Sequence, residues 1–254
     1  MATSGLRFRK TKLRPNSFLY KERMRVVILF PLMLASCNSG DTAVPAIDRR
    51  CVVLPGNKTA ITSSKAGKRY FPKSFGKPAQ VCNFKGYPEC FATISEVERD
   101  WYPSHWDAAR EPSLYERSRV SAPAGKSTLR FTWLPTFHHP VIVRIERSGE
   151  HATLIAKQLS GEGGYEPGKV EREVRRPLSA AEIGKLRAIL FRTKVLEQRA
   201  TECDNGLDGS QWIVEGVSHE GYRFINRWSP TEGPVRKFGD FALGLTGWTF
   251  EEIY

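Results

Sequence analysis

The chain has 254 residues, a formal net charge of +12 and 40% hydrophobic residues, enough for one ordinary domain with its own core. The charge invites a nucleic-acid partner until it is located. Residues 1–36 carry 8 Lys/Arg against one acid, Arg49 to Lys85 carry 9 basic residues and no acid, and what is left is nearly neutral. A nucleic-acid-binding domain holds its positive charge on the folded body, so no nucleic acid is expected as a partner.

The first organised stretch is Met24 to Cys37, MRVVILFPLMLASC. Its apolar run Val26–Leu34 is too short to span a membrane, which takes roughly 20 apolar residues, and fits the roughly 7–15 of a signal core. Pro31 inside the run suits a removable segment better than a permanent helix. Leu34-Ala35-Ser36-Cys37 resembles the lipobox of bacterial lipoproteins. That resemblance implies cleavage before Cys37, diacylglyceration of its thiol and acylation of its freed amine. Residues 1–36 then form a signal region, with Met24 as an alternative start, and the membrane is reached through lipid at Cys37. Asn38, where an Asp would favour the inner membrane, implies the outer membrane facing the periplasm.

With Cys37 set aside, Cys51, Cys82, Cys90 and Cys203 are candidate disulfide partners in an exported chain. Three connectivities are open. Gly86, Tyr87 and Pro88 favour a turn that makes Cys82–Cys90 the local candidate, leaving Cys51–Cys203 by elimination. Unpaired buried thiols are the other reading.

Residues 37–85 read as a flexible basic tether, since their Gly, Pro, Ser and Lys content buries too little to fold. Anionic headgroups or an anionic wall are partners for such a segment. Residues 86–254 read as one domain. Ser95 and Glu98 match a capping box, and Pro103 is expected to break the helix that follows. Leu129, Phe131 and Trp133, then Val141, Val143 and Ile145, then Ala152, Leu154 and Ala156 alternate with period two, the pattern of an antiparallel meander. A glycine-rich loop, Gly161–Gly168, precedes a further strand at Val170 to Arg175. Leu178 to Phe191 carries a second capping box, Ser179 with Glu182, and an apolar stripe of Ile183, Leu186, Ile189 and Leu190. Gln211–Val217 and Gly221–Trp228 read as a hairpin, and Phe238–Leu245 as a short last helix.

Meander, helix, hairpin and short helix predict an α+β fold: a single antiparallel sheet with helices packed on one face. The segments FTWLPTFHHPVIVRIE, GEGGYEPGK and GLDGSQWIVEGV resemble small bacterial lipoprotein domains without assigned chemistry, over residues 129–245. This resemblance implies fold and location only.

No motif fixes a reaction, and no cofactor or metal is expected. Ala124–Thr128 looks like the tail of a phosphate-binding loop, yet Val120 stands where that loop requires a Gly, and a strand follows. Asp204, Asp208, Gly209 and Glu215 fall on calcium-loop positions 1, 5, 6 and 12, but position 3 is Gly206. A hydrolase using His138 or His139 with an acidic partner and a calcium-stabilised module are the alternatives. Adjacent histidines on a strand would point to opposite faces. Asp208, Glu215, Arg227 and His138 are the candidate polar groove, although strand residues such as Arg144, Glu146 and Glu215 more simply form cross-strand ion pairs on a solvated face. The reading that results is a lipid-anchored cell-envelope protein with a binding or structural role and an envelope protein or cell-wall polymer as partner.

Overall fold

Alternation along the strands decides which side chain enters which layer. The computed structural model describes residues 68–254 apart from Lys85, Ser121, Ala122 and Asn205; Cys37, Cys51, the expected signal region and the tether up to residue 67 lie outside the described residues. Strands β3 (Lys126–Pro135), β4 (Val141–Ser148), β5 (His151–Leu159), β6 (Val170–Pro177), β7 (Ser210–Ser218) and β8 (Gly221–Trp228) form one antiparallel sheet in the order β6-β5-β4-β3-β7-β8. The meander and the hairpin meet where β3 pairs with β7. A separate two-stranded sheet joins β1 (Pro78–Phe84) to β2 (Tyr87–Ala92). The α+β class holds, but two sheets stand where one was expected.

One face of the large sheet is apolar. Phe131, Trp133, Val143, Leu154, Trp212 and Val214 lie in one buried cluster with Ile183 and Leu186 of α3 (Ala180–Thr193) and Val235, Phe238 and Ala242 of α4 (Gly233–Leu245). Ser179 accepts from the Glu182 N–H, and the Glu182 side chain answers to the Ser179 N–H, so α3 starts as its capping box predicts. Trp133 and Trp212 are each at most 1% exposed, and truncating such a side chain to Ala costs about 3–5 kcal/mol.

The opposite face was expected to meet solvent, and it is buried as well. Helices α1 (Glu96–Ala108) and α2 (Leu114–Ser118) cover it, so helices pack on both faces. Tyr102, Trp106 and Leu114 cluster there with Ile142, Ile213 and Phe224. Pro103 lies inside α1 without ending it. Tyr102, His105 and Trp106 are all buried, so the turn before the proline and the turn after it are both pinned. Ser104 Oγ also donates to the Trp101 carbonyl at 2.7 Å.

The end of the expected tether belongs to this second layer. Tyr70, Phe71 and Phe75 are 4%, 7% and 6% exposed, and Phe71 meets Trp106 and Phe224 with ring centroids 5.6 and 5.4 Å apart. Three aromatic side chains bury enough apolar surface to order a segment that its basic and small residues disguise.

Polar residues of this face answer one another. Arg130 Nε donates to Glu215 at 2.6 Å, Arg144 Nε to Glu111 at 2.7 Å, and Lys157 Nζ to Glu111 at 3.0 Å. The Arg130 guanidinium also lies 4.1 Å from the Trp106 ring centroid. Buried charges persist only when paired in this way.

Cys82 is bonded to Cys203, not to Cys90. Cys90 is itself disulfide-bonded. In β1 and β2, Cys82 stands opposite Glu89 and Cys90 opposite Val81, so the two cysteines of the hairpin are out of register with each other.

Candidate functional site

The Cys82–Cys203 bond lies in the wall of a cleft of about 670 Å³. The β1–β2 hairpin, the first turns of α1, the glycine-rich loop, the segment before β7 and the ends of β7 and β8 enclose it. Two close approaches shape it. A Cβ on Gly163 would stand 2.4 Å from the Pro135 carbonyl oxygen, and one on Gly206 would stand 2.1 Å from Trp228 Nε1. Trp101 Nε1 donates to the Gly163 carbonyl at 2.7 Å and ties the glycine-rich loop to α1.

Glu98 is the hub of the cleft's polar side. One carboxylate oxygen accepts from the Ser95 N–H at 2.8 Å, closing the capping box. The other accepts from Tyr102 Oη at 2.6 Å and from Asn226 Nδ2 at 3.2 Å. Burial, then the Glu98 charge, pushes the Tyr102 phenol well above its ordinary value, so it stays a donor to that carboxylate. Asn226 Nδ2 also donates to Tyr102 Oη at 3.0 Å. Both of its N–H groups therefore face acceptors, and this fixes which way the amide points. Asn226 Oδ1 is left buried without a hydrogen-bond partner, and so is Gln211 Oε1.

Arg227 is the single basic residue among the described residues that line the cleft, against Glu98, Glu202 and Asp204. Its guanidinium is engaged by Glu202 at 2.9 Å and by the carbonyls of Asn226 and Arg199 at 2.7 and 3.0 Å. Burial lowers its pKa, with Glu202 and Asp204 pulling the other way. Tyr165, Val97 and Leu207 line the cleft while remaining 60%, 75% and 94% exposed.

The four residues expected to form a polar groove do not converge. Arg227 alone lines the cleft. Glu215 is 0% exposed beneath α1 and α2, where burial raises its carboxyl against the opposing pull of Arg130 and the Tyr222 hydroxyl. Asp208 is exposed. His138 lies in the β3–β4 connection, not on a strand, with Nδ1 2.9 Å from Tyr254 Oη. His139 Nδ1 bonds the Gly161 carbonyl at 2.8 Å. These contacts supply neither histidine with the acidic partner the hydrolase reading needs. The calcium loop fails on Glu215, whose oxygens are taken by Arg130 and Tyr222. Glu98, Gln211 and Asn226 carry the site instead. The signal within the sequence was Asn226, a polar residue interrupting the aromatic alternation of Tyr222, Phe224 and Trp228.

Fold and cleft together define an α+β domain with an acceptor-rich cleft. No protein-family model matches the chain, and no curated protein matches it.

Proposed function

We propose that this protein is a lipid-anchored component of a bacterial cell envelope, at the outer membrane facing the periplasm, where its domain binds an envelope protein or wall polymer. The Cys82–Cys203 disulfide carries the reading, because such bonds persist where the compartment is oxidising. The lipobox-like Leu34–Cys37 supplies the attachment, since two or more acyl chains hold a protein durably at a membrane. The cleft supports a binding role: it is concave, and the first turns of α1 and the ends of β7 and β8 form part of its wall. Growth with a radiolabelled fatty acid tests the anchor. The wild-type chain should take up label and the Cys37→Ala chain should not; equal labelling of both sinks the reading.

A further inference from the structure

We infer that Cys90 is bonded to Cys51, and that this second disulfide fastens the tether to the back of the β1–β2 hairpin. The inference adds a joint to the lipid-anchored reading proposed above, and it rests on that reading at one point, the acylation of Cys37.

Valence makes the assignment. The chain holds five cysteines, at positions 37, 51, 82, 90 and 203. Cys90 is disulfide-bonded, and Cys82 and Cys203 are spent on each other. Its mate within the chain is therefore Cys37 or Cys51. A thioether to a diacylglycerol leaves the Cys37 sulfur no valence for a second bond, so Cys51 remains. Forming the bond takes two protons and two electrons from the two thiols. A protein disulfide of the oxidising compartment accepts them and is itself reduced to two thiols.

Hairpin register fixes the side on which the joint sits. Cys90 stands opposite Val81, and Phe91 opposite Gln80. Opposed residues share a face, and successive residues alternate between faces. Gln80, Cys82 and Phe91 line the cleft. Cys90 and Val81 therefore belong to the other face. Cys203 holds the hairpin on its cleft face, and the tether is joined to the face turned away from the cleft.

The consequence is reach. Without the bond, the thirty residues 38–67 separate Cys37 from the start of the folded domain; with it, only the thirteen residues 38–50 separate the lipidated cysteine from a point fixed on that domain. A fully extended chain then spans at most about 50 Å in place of about 110 Å. The partner is thereby confined to what lies close to the bilayer.

Peptide mapping without reduction tests the bond. Full-length chain purified in detergent, its free thiols blocked with iodoacetamide, is digested with trypsin and read by mass spectrometry. Each cysteine falls in its own peptide: 37–49, 51–58, 74–85, 86–99 and 200–223. Peptide 51–58 should be found bonded to 86–99, and 74–85 to 200–223, with both pairs lost on reduction. Peptide 86–99 alkylated, or bonded to a second copy of itself, overturns the Cys51 assignment and leaves the anchor standing. Peptide 86–99 bonded to 37–49 overturns the assignment and the anchor together. Equal fatty-acid labelling of the wild-type and Cys37→Ala chains, with 51–58 still bonded to 86–99, removes the anchor and upholds the bond.

Discussion

Arg130 and Glu215 stand directly opposite each other on neighbouring strands, their side chains joined at 2.6 Å and fully buried. Taking one partner away leaves a desolvated charge, which costs about 3–5 kcal/mol, while replacing both by apolar residues of similar volume is often neutral. Glu215→Ala should therefore lower the urea unfolding free energy by about 3–5 kcal/mol. The double variant Arg130→Met, Glu215→Leu should recover most of that loss. A double variant as unstable as the single one would show that the pair contributes more than mutual neutralisation.

The Cys82–Cys203 bond spans a sequence separation of 121 residues. In the chain-entropy account a closed loop of that size restricts the unfolded state by about 4–5 kcal/mol. Cys203→Ala should lower the denaturation midpoint by a corresponding amount. An unchanged midpoint would mean that native packing alone fixes the hairpin against the segment before β7.

His105 is 0% exposed, and its pKa is lowered from the ordinary 6.5 chiefly by burial, although the Trp101 and Glu162 carbonyls favour the cation. Its folded pKa lies below its unfolded one, so stability is fully present above about pH 6.5 and falls as the unfolded state takes up a proton first. Between pH 7.5 and 5 the wild-type unfolding free energy should decline, by at most about 1.4 kcal/mol per pH unit from this group. His105→Gln should flatten the decline. Superimposable pH profiles for the two chains would refute it.

Arg176, then the cap Ser179, hold the Glu182 carboxyl down to about 2. Ser179→Ala should cost about 1 kcal/mol of stability through the lost cap. It should also raise the Glu182 pKa, which carboxyl-carbon NMR titration reads. Because that pKa is depressed in the folded state, the carboxylate's contribution is present above pH 4.5 and lost as pH falls toward 2. A Glu182 titration untouched by the substitution would assign its acidity to Arg176 and the backbone N–H of residue 179, with no share for the hydroxyl.

Local rules carried the sheet and the two capping boxes. Leu129, Phe131 and Trp133 do turn to one layer, and Ser95 and Ser179 do begin helices. What escaped was long-range. Arg144 and Glu215 looked like a solvated face because alternation reports only that two faces differ, and it cannot show that α1 and α2 return to cover the second. Tyr70, Phe71 and Phe75 were hidden in a basic, small-residue stretch whose burial depends on Trp106 and Phe224. The disulfide obeyed closure across the fold and not the nearest turn. The cleft was least legible, since the unpaired oxygen of Asn226 arises only when Glu98, 128 residues earlier, meets the same amide.

The Cys82–Cys203 bond also sets the path of mechanical load. Under tension applied between the segment before Cys82 and the segment after Cys203, the sulfur bridge closes the chain between them into a loop, so residues 91–202 cannot be drawn out end to end while the bond is intact. Even after the sheet gives way, a pull on the two ends of the chain leaves that stretch a closed loop whose full length the force never reaches.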